Sequence, residues 1–255
     1  MRGKIPWIGT SWKMNKTRAE AQAFAAALAG SPISRSEKCN LFVIPPFPYI
    51  RDVAESLNGT RVRVGAQNMH WEDVGAWTGE VSPLMLKDCG ATLVEIGHSE
   101  RRTHFGETDQ TVALKVQAAL RHGLMALVCI GDTRAEYEAG ETAAALERQV
   151  RALLSLVTHQ ARDKIIIAYE PVWSIGEGGT PATPEFANEQ HVRISELTKS
   201  LIGAPLPILY GGSVNQQNCE ALARQSHIDG LFIGRAAWEV TGYLEIANRV
   251  VAILV

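Results

Sequence analysis

The chain has 255 residues, of which 46% are hydrophobic and 20% charged, and its formal net charge is −2. No run approaches the ~20 consecutive apolar residues that a membrane-spanning helix needs, and the first residues lack the apolar stretch of a secretory signal. The near-neutral charge gives no basic footprint for nucleic acid. We therefore expect a globular protein that binds neither nucleic acid nor membrane, built either as two ordinary domains or as one barrel of about 250 residues.

The spacing of the four cysteines predicts free thiols. No C-x-x-C pair or combined cysteine and histidine run has the spacing of metal ligands. Scattered cysteines in a chain long enough for a large core are typical of a reducing compartment rather than of a disulfide framework. We therefore expect a cytoplasmic protein without a bound metal. The cysteines are Cys39, Cys89, Cys129 and Cys219.

Short apolar runs recur along the chain, with helix-like segments between them. Several runs are continuously apolar, which is typical of strands buried on both faces. The segments between them carry helix start signals, such as the capping box Thr17-x-x-Glu20 and the prolines Pro83 and Pro184 behind capping residues. The predicted strands are residues 7–9, 41–44, 62–65, 92–96, 124–130, 165–169, 208–210 and 231–233. The clearest helical patterns are residues 108–122, 142–157, 184–202 and 241–255.

Strands that alternate with helices predict βαβ units and a parallel sheet. No glycine- or serine-rich linker, block of charge or change in composition divides the chain. Eight strands with eight helical segments favour a single α/β domain over residues 1–255, a closed (β/α)₈ barrel, over two doubly wound domains. Catalytic groups of such barrels lie at the carboxyl ends of the strands, so the polar residues behind each apolar run are the candidates.

Three of these positions hold residues suited to acid–base chemistry. Lys13 follows the first run and predicts a fixed cation at the barrel mouth, although a solvated lysine fits the same segment. His98 follows the fourth run, where a purely structural histidine is the alternative. Glu170 ends the sixth run, and a carboxylate at the end of a buried strand costs free energy unless it is paired or used. The three residues together predict a base with a histidine and a cation beside it.

Glycine-rich segments follow the last three runs. Residues 173–181 predict a hinged lid, although a plain long loop has the same composition. Small residues at 210–214 and 234–237 predict two strand exits that lead into helical segments. Backbone amides at such exits bind phosphate, and barrels often place a phosphate site behind the last two strands.

Seven motifs of the sequence resemble those of the triosephosphate isomerase family, and they extend over nearly the whole chain. The resemblance implies a TIM barrel, an isomerisation through an enediolate and a small phosphorylated sugar as the substrate. It implies neither a metal nor an organic cofactor. The motifs occur in the family's order: WKMN at 12–15, GAQN at 65–68, TGE at 78–80, EIGHSERR at 95–102, YEPVW at 169–173, Ala-Thr-Pro at 182–184 and YGGSV at 210–214.

The same resemblance implies roles for individual residues. Glu170 matches the family's base, His98 the neutral imidazole that polarises the carbonyl, and Lys13 the cation that offsets the enediolate charge. Glu100 matches a supporting carboxylate on the lysine side of the site. The segment behind Trp173 matches the closing lid. The phosphate-binding positions are matched by the backbone amides of Gly176, Ser213 and Gly234.

The resemblance also implies a homodimer. Residues 71–78 correspond to the loop that inserts beside the neighbouring subunit's site in this family, and Thr78 matches the tip of that loop.

Three positions depart from the family's pattern. Ser11 stands where the family has asparagine, Arg235 stands where it has the second of two glycines, and residues 175–181 form a lid with one extra residue. Ser11 is smaller than asparagine, which leaves room for an added CH₂OH group on the substrate. Arg235 keeps its backbone amide and adds a guanidinium suited to phosphate.

These departures resemble the branch of the family that interconverts L-erythrulose 1-phosphate and D-erythrulose 4-phosphate, in erythritol catabolism. We expect that reaction for this chain. Two alternatives stay open: a true triosephosphate isomerase, in which the departures are drift, and a non-catalytic barrel used for binding. The retained Lys13, His98 and Glu170 argue against the second alternative, because a binding protein has no need of a base.

Overall fold

A computed structural model of the protein, which describes residues 5–176 and 179–254, contains a closed barrel of eight parallel strands. Each strand pairs with the next in chain order, and β8 pairs with β1. The predicted (β/α)₈ fold is thereby confirmed. Residues 1–4 and 255 of the predicted single domain lie outside the described residues. The strands are β1 Trp7–Ser11, β2 Asn40–Ile44, β3 Arg63–Ala66, β4 Leu93–Ile96, β5 Met125–Ile130, β6 Ile165–Tyr169, β7 Ile208–Tyr210 and β8 Gly230–Ile233.

The first strand extends further than its apolar run predicted. Thr10 and Ser11 pair with Val43 and Ile44 of β2, so the strand ends on polar residues at the carboxyl edge of the barrel. The apolar pattern stops at Gly9 because the last two residues of the strand are polar, although Thr10 and Ser11 are both buried. This extension places Ser11 on a strand rather than in a loop.

Helices surround the barrel, and the predicted start signals are present. Thr17 and Glu20 form a reciprocal capping box, and Ser82 and Thr183 each accept a hydrogen bond from a backbone amide in the first turn of their helix. The helices are α1 Arg18–Gly30, α2 Ile50–Ser56, α3 Pro83–Asp88, α4 Ser99–His104, α5 Asp109–Arg121, α6 Arg134–Glu138, α7 Thr142–Leu154, α8 Pro184–Ile202, α9 Cys219–Ala223 and α10 Val240–Leu254.

Within the described ranges these are ten α-helices, two more than predicted. The segment between β4 and β5 breaks at Gly106, where φ is +67°, and the segment between β5 and β6 breaks at Gly140, where φ is +73°. Both glycines occupy the left-handed region that ends a helix. The exits from β7 and β8 lead into helices as expected, but not at once. The chain forms an irregular turn before the five-residue α9, and a 3₁₀ turn, Arg235–Ala237, before α10.

The inside of the barrel has its own apolar cluster, separate from the larger core between the strands and the helices. Phe42 occupies the space above Gly9, where a Cβ would lie 2.0 Å from the phenyl ring. Phe42 and Phe232 stack with their ring centroids 5.8 Å apart. The interior below the carboxyl ends is therefore filled with side chains. Its members are Phe42, Ile44, Leu93, Leu127, Cys129, Ile166, Ala168, Leu209 and Phe232.

Candidate active site

The period of two along a strand places polar side chains at the mouth of the barrel. Leu93 belongs to the interior cluster, so Glu95, two residues on, also points inward. By the same period of two, Glu170 points inward like Ala168, and Ser11 points inward like Gly9. Glu95, Glu170 and Ser11 are 2%, 2% and 4% exposed. Three strands thus end in buried polar groups that face one another.

A cleft of about 350 Å³ opens above these residues, and it brings together most of the predicted site. Glu100 lies at its exposed rim through its ion pair with Lys13. Thr78 is exposed on the loop of residues 71–78 and does not line the cleft of its own chain. The predicted residues that line the cleft are Ser11, Lys13, His98, Glu170, Gly176, Ser213, Gly234 and Arg235.

The ring of His98 is fixed as one tautomer by the start of α4. The backbone N–H of Glu100 donates a hydrogen bond to Nδ1 at 3.1 Å. A ring nitrogen that accepts a hydrogen bond carries no proton, so the imidazole is neutral, with its proton on Nε2. That Nε2 atom lies 3.5 Å from Oε1 of Glu170. His98 therefore presents a hydrogen-bond donor to the cleft.

Glu170 follows β6 and is held by the backbone on both sides. Its N–H donates to the carbonyl of Ile130 at 2.7 Å, and the N–H of Ser99 lies 3.5 Å from Oε2. Gly131 is required beside it, because a Cβ there would lie 1.8 Å from the Glu170 carbonyl oxygen. The carboxylate is thereby placed beside the imidazole with little freedom to move.

Lys13 adopts a backbone conformation that is rare for a side chain with a Cβ. Its φ is +52°, and its carbonyl accepts a hydrogen bond from Nε2 of Gln67 at 2.9 Å. Its Nζ lies 2.5 Å from Oε1 of Glu100. Partial burial opposes ionisation of Glu100, but the hydrogen bond and charge of Lys13 lower the pKa of this carboxyl below its usual value. The strained backbone directs the ammonium group into the cleft.

The sequence predicts no role for Glu95. Its Oε2 accepts a hydrogen bond from Oγ of Ser11 at 2.8 Å, and its Oε1 lies 4.0 Å from Nε2 of His98. Burial raises the pKa of Glu95 to about 7, and the nearby Glu170 charge adds to this effect. One signal in the sequence could have identified Glu95. It is a carboxylate in the otherwise apolar run 92–96, two residues after Leu93, whose side chain lies inside the barrel.

The phosphate end of the cleft is formed by the turns behind β7 and β8. Ser213 and Gly234 are partly exposed there, and Arg235 is exposed at the start of the 3₁₀ turn. Trp238, which the sequence reasoning missed, also lines the cleft and donates a hydrogen bond from Nε1 to the carbonyl of Ser11 at 3.1 Å. This bond joins the turn behind β8 to the end of β1.

A second buried carboxylate that the sequence reasoning missed, Asp132, anchors the base of the predicted lid. It is fully buried and accepts hydrogen bonds from the Tyr169 hydroxyl at 3.0 Å, the Trp173 indole at 3.1 Å and the Thr142 hydroxyl at 2.7 Å. Beyond this anchor, Ile175 and Gly176 reach the cleft. Residues 177 and 178 of the predicted lid lie outside the described residues.

One group of described residues has a geometry that could hold a metal ion. Glu95, His98 and Glu170 each offer a ligand atom, and these atoms lie within 4.8 Å of one another. Two carboxylates around an imidazole are equally suited to moving protons, and the fixed Nε2 proton of His98 favours that use. The expectation that no metal is needed stays a prediction.

The fold and the cleft together define a barrel enzyme of the acid–base type. The sequence matches the triosephosphate isomerase family over residues 6–250, so the chain belongs to that family and the isomerase class expected from the sequence is confirmed. No helix in the described ranges is long and apolar enough to cross a membrane.

Relatives of known name support the same class. A protein of Rhizobium meliloti (strain 1021) named L-erythrulose-1-phosphate isomerase is 57% identical over 245 residues, which cover 96% of each chain. A protein of the same name from Brucella abortus biovar 1 (strain 9-941) is 58% identical over 244 residues, 95% of each chain. A third, from Rhizobium etli (strain ATCC 51251 / DSM 11541 / JCM 21823 / NBRC 15573 / CFN 42), is 58% identical over 249 residues, 97% of this chain and 93% of that protein.

Proposed function

We propose that the protein interconverts L-erythrulose 1-phosphate and D-erythrulose 4-phosphate through an enediolate. The observation that carries this proposal is the position of Ser11, whose small side chain lines the cleft next to the acid–base pair. Its size leaves room for the CH₂OH group that distinguishes this substrate from a triose phosphate. The shared name of relatives at 57–58% identity over nearly the full length supports it.

In the proposed reaction Glu170 is the base. It removes the proton from C3, the C–H electron pair forms the C2–C3 double bond, and the carbonyl electrons move onto O2. O2 takes the Nε2 proton of His98, and the imidazole then accepts the proton of O3. Glu170 returns its proton to C2, so the carbonyl ends at C3 and no atom is gained or lost. Lys13, supported by Glu100, offsets the charge of the enediolate.

The phosphate of the substrate is bound by the turns at the other end of the cleft in this proposal. Backbone amides of Gly176, Ser213 and Gly234 donate hydrogen bonds to its oxygens, and the guanidinium of Arg235 adds a charge-assisted contact. The lid of residues 175–181 closes over the bound molecule and excludes water from the enediolate. Neither a metal nor an organic cofactor takes part.

We also propose a homodimer that works in the cytoplasm, in the breakdown of erythritol. Apolar side chains near the predicted interface loop support the dimer: Val74 is 79% and Trp77 50% exposed on that loop, and Met14, next to Lys13, is 97% exposed. A second subunit that covers these groups places the Thr78 loop beside its neighbour's cleft. The cysteines that the structure describes are all free, which suits a reducing compartment.

The proposed function is tested with purified protein and two substrates. We expect kcat/KM for L-erythrulose 1-phosphate to exceed that for dihydroxyacetone phosphate by about tenfold or more, since the latter leaves the space beside Ser11 empty. The Glu170→Asp variant retracts the carboxylate and should lose about 10²–10⁴-fold in kcat on either substrate.

Two results would contradict this function. A preference of the wild-type protein for dihydroxyacetone phosphate makes it a triosephosphate isomerase. Unchanged activity of Glu170→Asp removes Glu170 as the base. Circular dichroism of the variant serves as the control for folding.

A further inference from the structure

Glu95 is a buried carboxyl that the proposed reaction does not use. It lies on the interior face of β4 beneath the floor of the cleft, and it is 2% exposed. Ser11, His98 and Glu170 lie between it and the open space and line the cleft themselves. Burying a carboxylate costs free energy unless a partner compensates. We therefore expect Glu95 to act on the substrate through one of these neighbouring residues.

The hydrogen bond between Ser11 and Glu95 has a defined direction. Oγ of Ser11 lies 2.8 Å from Oε2 of Glu95. Above about pH 7 Glu95 is ionised and has no proton to donate, so the serine hydroxyl gives its only hydrogen to Glu95. The lone pairs of Oγ then remain for a group in the cleft. Ser11 is thus presented to the substrate as an acceptor and not as a donor.

An acceptor at this position selects for a hydroxyl group. We propose that Oγ of Ser11 accepts a hydrogen bond from the terminal CH₂OH of the four-carbon substrate, and that Glu95 is the positioning residue that holds Ser11 in this orientation. This assignment rests on the proposed function, because a three-carbon substrate has no fourth carbon and so lacks the CH₂OH group beyond the reacting carbon. The backbone of Ser11 is fixed independently, through its pairing with Ile44 and the indole of Trp238.

Ser11 and Glu95 together explain selectivity for the four-carbon substrate, because a shorter substrate lacks the hydroxyl that Ser11 binds. A substrate without the fourth carbon and its CH₂OH group leaves Ser11 Oγ facing a void in a buried site. An unpaired buried acceptor costs more than a hydrogen bond gains, so sites built in this way discriminate strongly against the shorter analogue. Glu95 contributes by preventing the hydroxyl from rotating into a donor orientation that would suit other ligands.

The test measures substrate selectivity, defined as the ratio of kcat/KM for L-erythrulose 1-phosphate to kcat/KM for dihydroxyacetone phosphate. We expect Ser11→Ala and Glu95→Leu each to lower this ratio about 10–100-fold. Glu95→Gln keeps an oxygen that accepts from Ser11, so it should restore the ratio to within about threefold of wild type. A merely structural role of Glu95 would change both substrates alike and leave the ratio constant.

Thr10→Val is the matched control. Thr10 precedes Ser11 on β1 and points to the opposite face, where its buried Oγ1 has no hydrogen-bond partner among the described residues. The substitution removes a buried hydroxyl from the same strand without touching the cleft. We expect it to leave the ratio unchanged.

The outcomes separate this inference from the proposed function. A wild-type preference for L-erythrulose 1-phosphate with unchanged ratios in Ser11→Ala and Glu95→Leu overturns the inference and leaves the proposed function standing. A ratio lowered equally by Thr10→Val also overturns it, because the effect would then be general to the strand. A wild-type preference for dihydroxyacetone phosphate overturns the proposed function and the role of Ser11 with it. If Glu95→Leu fails to fold, Ser11→Ala and Glu95→Gln still decide the question.

Discussion

Glu95 shows how a single buried carboxyl ties stability to pH. Loss of water around it raises its pKa to about 7, and the Glu170 charge acts in the same direction. The Ser11 hydroxyl and the Lys13 charge oppose the shift but do not cancel it. Cys129 faces the same group from β5, and burial raises the pKa of its thiol well above the usual value, so it stays neutral. Between about pH 4.5 and pH 7 the folded chain therefore holds a proton on Glu95 that the unfolded chain has already lost.

We predict that this carboxyl makes the protein less stable as the pH rises from about 4.5 to 7. The unfolded group titrates near 4.5 and the folded group near 7, so the native state binds more protons in this window and the contribution is lost as the pH passes through it. The contribution amounts to about 3 kcal/mol at most. Urea unfolding of wild type and Glu95→Gln at pH 5 and pH 8 measures it.

In that experiment the free energy of unfolding of wild type should fall relative to that of Glu95→Gln between the two pH values. Parallel behaviour of the two proteins would contradict the prediction. It would mean that Glu95 titrates alike in the folded and unfolded chains.

At the scale of single elements, the segment behind β6 depends on one anchor. Asp132 accepts three side-chain hydrogen bonds, from β6, from α7 and from Trp173 at the lid base. Trp173 also stacks on Tyr137 with ring centroids 4.2 Å apart. The proposed lid can move as a unit only if its base is fixed, and this cluster of hydrogen bonds fixes that base.

We predict that Asp132→Ala destabilises the protein by about 2–4 kcal/mol, because it leaves three buried donors without an acceptor. It should also raise KM, since the lid base loses its fixed position. Denaturant unfolding and steady-state kinetics measure the two effects. Asp132→Asn keeps one acceptor oxygen and serves as the control, with less than half of the loss. Equal stability of wild type and Asp132→Ala would refute the anchoring role.

The sequence predicted the strands well because their continuous apolar runs are a direct record of burial on two faces. The prediction from the sequence failed at residues that are polar but buried. Ser11 belongs to a strand whose last residues are polar. Glu95 is an acidic residue in a segment whose other residues are typical of a buried core. Asp132 lies in a turn whose three partners come from distant elements, so no local pattern marks it. Gly106 and Gly140 precede two predicted helices, and a glycine there fits a plain loop, so the sequence does not show that each glycine separates two helices.

The site was predictable as a set of strand ends, but its arrangement was not. The order of the strands in a closed barrel places His98 and Glu170 near each other, whereas their distance of 3.5 Å depends on side-chain rotamers. The tautomer of His98 follows from one backbone hydrogen bond at the start of α4. Such contacts join residues far apart in the chain, and the sequence alone carries no measure of them.

At the scale of the whole molecule, the exposed apolar loop of residues 71–78 predicts an assembly that activity depends on. We expect the wild-type protein to sediment at twice the chain mass. Thr78→Arg places a charge at the tip of this loop, in an apolar interface, and should give monomers with kcat lowered about tenfold or more. Analytical ultracentrifugation and kinetics on the same samples measure both. A fully active monomer would show that each cleft is complete without its neighbour.

The packed interior of the barrel has a consequence for turnover. Gly9 makes room for the ring of Phe42, which stacks on Phe232, so the axis of the barrel is plugged below the cleft. Among the described residues, the cleft is therefore open to solvent at the mouth of the barrel and closed towards the barrel interior. Substrate and product must therefore pass through the same opening, and each product has to leave before the next substrate can bind. In a reversible isomerisation, product that accumulates in solution rebinds in the cleft and lowers the net rate of conversion.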